Sequence, residues 1–459
     1  MRKSNILAIL LAAAFLLVQP TGAAQLPSIT PVHVHLSWQN NPETTMTVTW
    51  QTTLGVPEGL PVYVPTVEYG IHSGNYFAQA AGVSHTYAGA TGFIHDVELV
   101  GLYPGMTYYY RCGDANFGWS GEFSFKTQPR FTSNLTFAAF GDSRNDPSNP
   151  SYANNDFSVF AKGIDAIAKE KPAFSIFWGD MVFFGGMQLW WDQWFEAAEP
   201  LTSQSVLMSC RGNHEYSSYF SNYQDQFAFP GNEMWYSFNI SQVHFVCLDT
   251  GETDNGEDAL LQEQVPWLES DLAAAKDAGY KWTIVYFHRP PYSTDSSHGN
   301  QTDVSEIFVP IFDKYNVDLV LLGHVHMYER DYPMRGGAVV NYSKNVYNNP
   351  KGTIYIIAGS IGAPLYETGN GSWVAASASE YHYCMVHVLS NNTLRLEAKS
   401  LDGKIIDWIS ISKQSSYNGG SGYVESHFNM KAGTTIVQIF VIAVGALFLL
   451  LLLFTRKKQ

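Results

Sequence analysis

The sequence predicts an α/β layered domain, preceded by an all-β sandwich and followed by a C-terminal transmembrane helix. Three observations lead there. Residues from about Pro31 to Lys126 read as short alternating strands with no convincing helix. From Leu135 onward, apolar strand-like runs alternate with helical stretches. Ile436 to Phe454 is uncharged and almost wholly apolar, and Arg456, Lys457 and Lys458 follow it directly.

At the N-terminus, Arg2 and Lys3 precede the apolar run Ile6 to Val18, and Pro20 to Ala24 supply breaking and small residues. This predicts a secretory signal over residues 1–24, cleaved near Ala24. The run is shorter than the ~20 residues a bilayer span needs, which argues against an uncleaved anchor. The C-terminal run predicts a span over 435–454, joined to the body by a linker over 414–434 and closed by a cytoplasmic tail over 455–459. A lipid-anchor signal would end in its apolar tail, whereas this chain ends in charge. The expectation is a single-pass cell-membrane protein, bound to the membrane by one helix, with its bulk extracytoplasmic and its C-terminus cytoplasmic. Sequons at Asn134, Asn239, Asn300, Asn341, Asn370 and Asn391 would then be open to glycosylation. Cys112, Cys210, Cys247 and Cys384 form no C-x-x-C pair, which disfavours a thiolate zinc site, and their spacing selects no disulfide connectivity.

Composition narrows the function. With 26 Lys+Arg against 41 Asp+Glu the formal charge is −15, and no basic run lies outside the two ends, so nucleic-acid binding is not expected. Charged residues make up 15 % and apolar residues 46 %, enough to bury large cores.

In the sandwich region, placed over 28–128, Thr45 to Trp50, Val67 to Tyr69, His95 to Leu99, Thr107 to Arg111 and Glu122 to Lys126 alternate between Gly/Pro turns. Val48, Trp50, Leu102, Tyr108 and Tyr110 are the expected core. In the α/β region, placed over 132–413, Leu135 to Phe140 ends at Gly141-Asp142 and Ala173 to Trp178 ends at Gly179-Asp180. Ser205 to Ser209 runs into Gly212-Asn213-His214-Glu215, Thr283 to Phe287 meets His288, and Val317 to Leu322 meets Gly323-His324-Val325-His326. Phe157 to Lys169 and Gln264 to Ala278 have helical periodicity. Met187 to Pro200 carries Trp190, Trp191 and Trp194, expected mostly in the core.

A single strand-ending Gly-Asp is usually a turn, and a single His usually an ordinary polar residue. The joint pattern carries more: five polar clusters, each at the end of an apolar strand, hold two Asp, one Asn and four His. In α/β cores, ligands collect at the carboxyl ends of strands. Oxygen and imidazole donors without thiolates suit a pair of ions such as iron, zinc or manganese. Glycine beside each ligand is expected to let the backbone turn and to clear space.

The order GD, GD, GNHE, VxxH, GHVH resembles the five-block signature of calcineurin-like metallophosphoesterases. The longer matches GNHE, HRPPY and GHVHMYER are most similar to purple acid phosphatases, as are the downstream strands IYIIAGSIG and LRLEAKSLDGKIIDWISI. Upstream, MTVTWQT, VELVGLYPGMTYYYRCGD and FSFKT resemble the fibronectin type III-like domain that precedes their catalytic domain. The resemblance runs from about Ser28 to Lys413. It implies a four-layer α/β/β/α sandwich holding two metal ions, iron plus a divalent ion such as zinc, manganese or iron. Asp180 would bridge them, Asp142 and His326 would complete the first site, and Asn213, His288 and His324 the second. His214 would contact the substrate phosphate or protonate the leaving alkoxide, and His298 matches the second outer histidine. Glu215, Arg289 and Tyr328 lie inside the motifs and are expected to orient ligands.

The chain also departs from the family pattern. Where the family has a tyrosine that ligates the first iron and colours the protein, this chain has Phe183, which cannot coordinate. Where other calcineurin-like enzymes have a histidine two residues after the first Asp, this chain has Arg144. The protein is therefore expected not to be purple, with a looser first metal, and Arg144 is expected at the vacated position, gripping a phosphate. The implied activity is hydrolysis of small-molecule phosphomonoesters by direct attack of a metal-bound hydroxide. The competing readings are a phosphodiesterase or nucleotide pyrophosphatase on the same scaffold, and a non-catalytic surface-binding protein with a degenerate metal site. The sequence is silent on oligomeric state.

Overall fold

A computed structural model describes residues 29–53, 61–144, 157–216, 222–251, 258–390 and 392–413. The expected signal segment, linker, transmembrane helix and tail lie outside these. Among the described residues no helix is long and apolar enough to cross a membrane.

The N-terminal part is a sandwich of two antiparallel sheets. One runs in the order Val32–Ser37, Thr45–Thr52, Phe93–Val100, Val83–His85. The other runs Ala78–Ala81, Thr66–Gly70, Thr107–Asp114, Gly118–Trp119, with Phe123–Lys126 also on Thr107–Asp114. The period-two alternation turns Val48, Trp50, Tyr108 and Tyr110 inward, and Leu102 closes the core beside them; all five are buried as expected.

The second part carries two seven-stranded sheets. The first runs Val206–Ser209, Phe174–Phe177, Asn134–Phe140, His382–Leu389, Thr393–Ser400, Ile405–Ser412, Val346–Asn348. The second runs Tyr236–Ile240, Val243–Cys247, Trp282–Phe287, Leu319–Leu322, Ile354–Ala358, Tyr328–Asp331, Val374–Ala378. In the second sheet Ile284, Tyr286, Leu319 and Leu321 face the first sheet, while Val285, Phe287, Val320 and Leu322 face helices Asp258–Ala278 and Thr302–Tyr315. Both faces are covered, so these strands read as continuous apolar runs rather than alternating ones. Helices Ser158–Glu170 and Gln188–Thr202 cover the other side and complete the four layers. Gly163 permits a close approach there, since a Cβ would come within 2.5 Å of Ile361.

The sandwich and the layered domain share one continuous apolar cluster. Polar contacts seal the seam. Tyr110 donates its hydroxyl to the Ser203 carbonyl (2.7 Å), Ser37 donates to the Ala228 carbonyl (2.7 Å), and Glu199 accepts from the Val34 amide (3.2 Å). His35 lies at 2.9 Å from the Gln226 carbonyl and stacks on Phe195 at 4.7 Å. Trp191 and Trp194, on the same helix, are fully buried, as is nearly all of Trp190.

Burial lowers the pKa of His35 to about 4, from 6.5 when exposed. The folded pKa lies below the unfolded one, so between those values the unfolded chain takes up a proton that the fold refuses. Stability is therefore full above about pH 6.5 and is lost as pH falls towards 4, by up to about 3 kcal/mol for this one group. His95, lowered to about 4 by burial and by His85, adds in the same direction. Thermal unfolding followed from pH 7 to pH 4 should show a falling midpoint, with a shallower slope in His35→Gln. Equal slopes in the two proteins would rule this out.

Candidate metal centre

Every predicted ligand sits at the carboxyl edge of a parallel strand. Asp142 follows Asn134–Phe140, Asp180 follows Phe174–Phe177, Asn213 follows Val206–Ser209, His288 follows Trp282–Phe287, and His324 and His326 follow Leu319–Leu322. The two sheets bring these edges together. Asp142, Asp180 and His326 offer donor atoms that all lie within 4.8 Å of one another. On the other side of Asp180, its Oδ1 lies 3.2 Å from His288 Nε2. Asn213 Oδ1 lies 3.0 Å from His288 Nε2 and 2.9 Å from His324 Nδ1. Asp180 is thus shared between two donor groups.

The backbone shows how tightly the site is held. Asp142, Asp180 and His324 all have positive φ, at 56°, 55° and 71°. Left-handed backbone at non-glycine residues costs about 1–3 kcal/mol each and collects at functional sites. The glycines do less turning than expected. Gly179 has φ of 90°, but Gly141, Gly212 and Gly323 chiefly clear space. A Cβ on Gly212 would lie 2.2 Å from Asp180 Oδ1, and one on Gly323 would lie 2.4 Å from Asp142 Oδ2.

The donor set fits cations. Asp142 Oδ2 is buried without a hydrogen-bond partner, and burial pushes this carboxyl well above the usual range. Burial opposes the charge on Asp180 as well, yet His288, His214 and Arg144 hold it well below that range. Burial keeps His324 and His326 neutral, as metal-ligating imidazoles must be. Second contacts set the tautomers. His288 Nδ1 lies 2.7 Å from the Trp178 carbonyl, and His326 Nδ1 lies 2.8 Å from the Pro364 carbonyl. Each Nδ1 donates to its carbonyl, which turns each Nε2 towards the site.

The outer residues also converge. His214 donates through Nδ1 to the Phe183 carbonyl (2.7 Å), which turns its Nε2 towards Asp180 Oδ2 at 3.7 Å. His298 is held by Asp295 (2.9 Å) and packs edge-on against His324 at 4.6 Å. Arg144 is not a solvated loop residue. Its Nε lies 3.3 Å from Asp180 Oδ2, its Nη2 lies 3.3 Å from His326 Nε2, and its guanidinium rests 5.4 Å above the Phe183 ring.

Of the three expected orienting residues, Glu215 and Arg289 hold the loops. Glu215 is fully buried and accepts the backbone N–H groups of Asp180 (2.9 Å), Met181 (2.9 Å), Val182 (3.4 Å) and Gly212 (2.7 Å). Burial and the neighbouring Asp180 raise its pKa to about 7. Arg289 binds the Thr250 carbonyl, Gln301 and Asp303, which fixes the segment that carries His298. Tyr328 does something else. Its hydroxyl donates to Asp407 (2.7 Å) beside Arg330, in the strand that leads away from the site.

Tyr366 was not anticipated from the sequence. Its ring stacks on His326 at 4.3 Å and on His298 at 5.6 Å, its amide donates to the His326 carbonyl (2.9 Å), and its phenol meets Arg144. The only forewarning was its place after strand Ile354–Ala358 and the Gly-Ser-Ile-Gly loop that follows it. The amides of Gly362 and Ala363 in that loop donate to the Asp142 carbonyl at 3.2 and 2.8 Å.

Comparison with known proteins agrees with this geometry. Residues 31–127 match the purple acid phosphatase N-terminal domain and residues 135–328 the calcineurin-like phosphoesterase domain. The chain is 32 % identical to acid phosphatase type 7 of Homo sapiens over 428 residues, 84 % of this chain and 92 % of that protein. It is 31 % identical to purple acid phosphatase 23 of Arabidopsis thaliana over 342 residues, 64 % of this chain and 70 % of that one. A purple acid phosphatase isolated from yellow lupin (Lupinus luteus) seeds superposes with a TM-score of 0.71 at 25 % identity, covering 84 % of this chain and 75 % of that one.

Proposed function

As this chain belongs to the purple acid phosphatase family of calcineurin-like phosphoesterases, we propose that it hydrolyses small phosphomonoesters outside the cytoplasm, tethered to a membrane. Membership makes it a metal-dependent phosphoester hydrolase with a dinuclear centre, usually iron with a second divalent ion, acting on small phosphate esters. The extracytoplasmic placement and the tether rest on the sequence of residues 1–24 and 435–454.

The observation that carries the reading is the sharing of Asp180 between two donor groups. Asp142, Asp180 and His326 would hold one ion, and Asp180, Asn213, His288 and His324 the other. When bound, such a pair supplies Lewis acidity to the phosphoryl group and lowers the pKa of the attacking water. The remaining work belongs to side chains. His214, with Nδ1 donating to the Phe183 carbonyl and Nε2 3.7 Å from Asp180 Oδ2, would as the imidazolium hold a phosphoryl oxygen or give the Nε2 proton to the leaving alkoxide. His298 packs beside His324 and Tyr366, its tautomer set by Asp295, and would serve as the second outer histidine. Arg144 adds a fixed positive charge on the first-ion side.

The test uses chelator-stripped protein reloaded with iron, zinc or manganese and assayed on p-nitrophenyl phosphate and bis(p-nitrophenyl) phosphate. Metal-dependent preference for the monoester is expected. Preference for the diester would favour a phosphodiesterase, and silence with every metal would favour a binding protein. Iron-loaded protein should lack a tyrosinate band, because Phe183 supplies no phenolate.

A further inference from the structure

We propose that Arg144 is a resident cation that competes with the first metal ion, so that this chain holds its second ion tightly and its first ion exchangeably. The inference rests on the dinuclear reading above and concerns which of the two sites fills.

Three facts carry it. First, Arg144 reaches two of the three residues whose donor atoms group within 4.8 Å, namely Asp180 through Oδ2 and His326 through Nε2, both at 3.3 Å. His326 Nδ1 is committed to the Pro364 carbonyl, so Nε2 is that ring's only remaining lone pair. One lone pair cannot accept a hydrogen bond from Arg144 and coordinate an ion at once. Second, a guanidinium cannot escape the conflict by losing its proton. Its side chain is 10 % exposed, so its charge is poorly screened from an ion placed among Asp142, Asp180 and His326. Third, Phe183 lies against the guanidinium and brings no negative charge to the site. The Arg144 contacts fall on the Oδ2 side of Asp180, away from the Oδ1 side that faces His288 and accepts the His214 amide. The handicap therefore falls more heavily on the first site than on the second. Entry of the first ion requires the guanidinium to leave Asp180, His326, the Phe183 face and the Tyr366 phenol.

The experiment titrates Zn²⁺ into chelator-stripped full-length protein by calorimetry and counts retained zinc after desalting. The native chain should retain one ion and bind a second at least about tenfold more weakly. Arg144→Gln should close that gap and retain two, whereas Arg144→Lys, whose ammonium can lose its proton when an ion enters, should fall between the native chain and the Gln variant. Two equally tight ions in the native chain, or a gap unchanged in Arg144→Gln, would overturn the proposal and leave the dinuclear reading intact. Absence of tight zinc in both proteins would overturn the dinuclear reading and this inference with it. Should the Gln variant fail to fold, Arg144→Ala takes its place with the same expected result, because the phenolate missing at Phe183 also weakens the first site and only removal of the guanidinium separates the two causes.

Discussion

Asp180→Asn is expected to lose about a thousandfold or more in kcat/KM and most of its bound metal, because one near-isosteric change removes the charge that both donor groups share. Asp180 Oδ1 faces His288 Nε2 at 3.2 Å and accepts the His214 amide at 3.1 Å, while Oδ2 faces Arg144 at 3.3 Å. An amide at this position keeps one acceptor for the His214 amide but no longer balances His288, whose pKa Asp180 raises to about 9 against the effect of burial. The fold should survive, since the Asp180 main chain stays anchored by the Ser143 and Arg144 amides on its carbonyl at 3.0 and 3.2 Å. Metal analysis and p-nitrophenyl phosphate turnover on the same preparation check this. Near-native turnover with full metal content would refute the shared-carboxylate arrangement.

Glu215→Ala should cost about 3–5 kcal/mol of stability and weaken metal retention at both sites, although Glu215 itself is no ligand. Its two oxygens accept four backbone N–H groups, three from the segment that carries Asp180 and one from Gly212, next to Asn213. Truncation leaves those donors buried without acceptors and frees two ligand loops from each other. Glu215→Gln keeps an acceptor at one end only and should fall between native and Ala. Denaturant unfolding and retained metal are the measurements. A loss below about 1 kcal/mol, the scale of an ordinary surface change, would show that the loops do not need this carboxylate.

Much of the site was legible because of how a doubly covered parallel sheet writes itself into a chain. Strands buried on both faces appear as unbroken apolar runs such as Ile284 to Phe287, so the polar residues that interrupt them, His288 among them, stand out. Asp142, Asp180, Asn213, His324 and His326 stand out for the same reason, and the sandwich core residues were legible through their period-two alternation. The turning role expected of the glycines was only partly right. The left-handed backbone falls on Asp142, Asp180 and His324 themselves, a consequence of loops crossing at the sheet edge that local composition does not record.

By itself, the sequence determined the kinds of donor, their order, and the absence of a phenol at Phe183, because these are properties of single residues and their neighbours along the chain. Only the tertiary structure decided that the Arg144 guanidinium lies on Asp180 and His326, that Glu215 staples two loops, and that Tyr366 closes over His326 from forty residues away. It also decided that the sandwich is packed into the body through Tyr110 and His35 rather than standing apart. Each of these depends on which loops meet when two sheets stack, and that meeting is set by burial of both apolar faces at once rather than by any local preference.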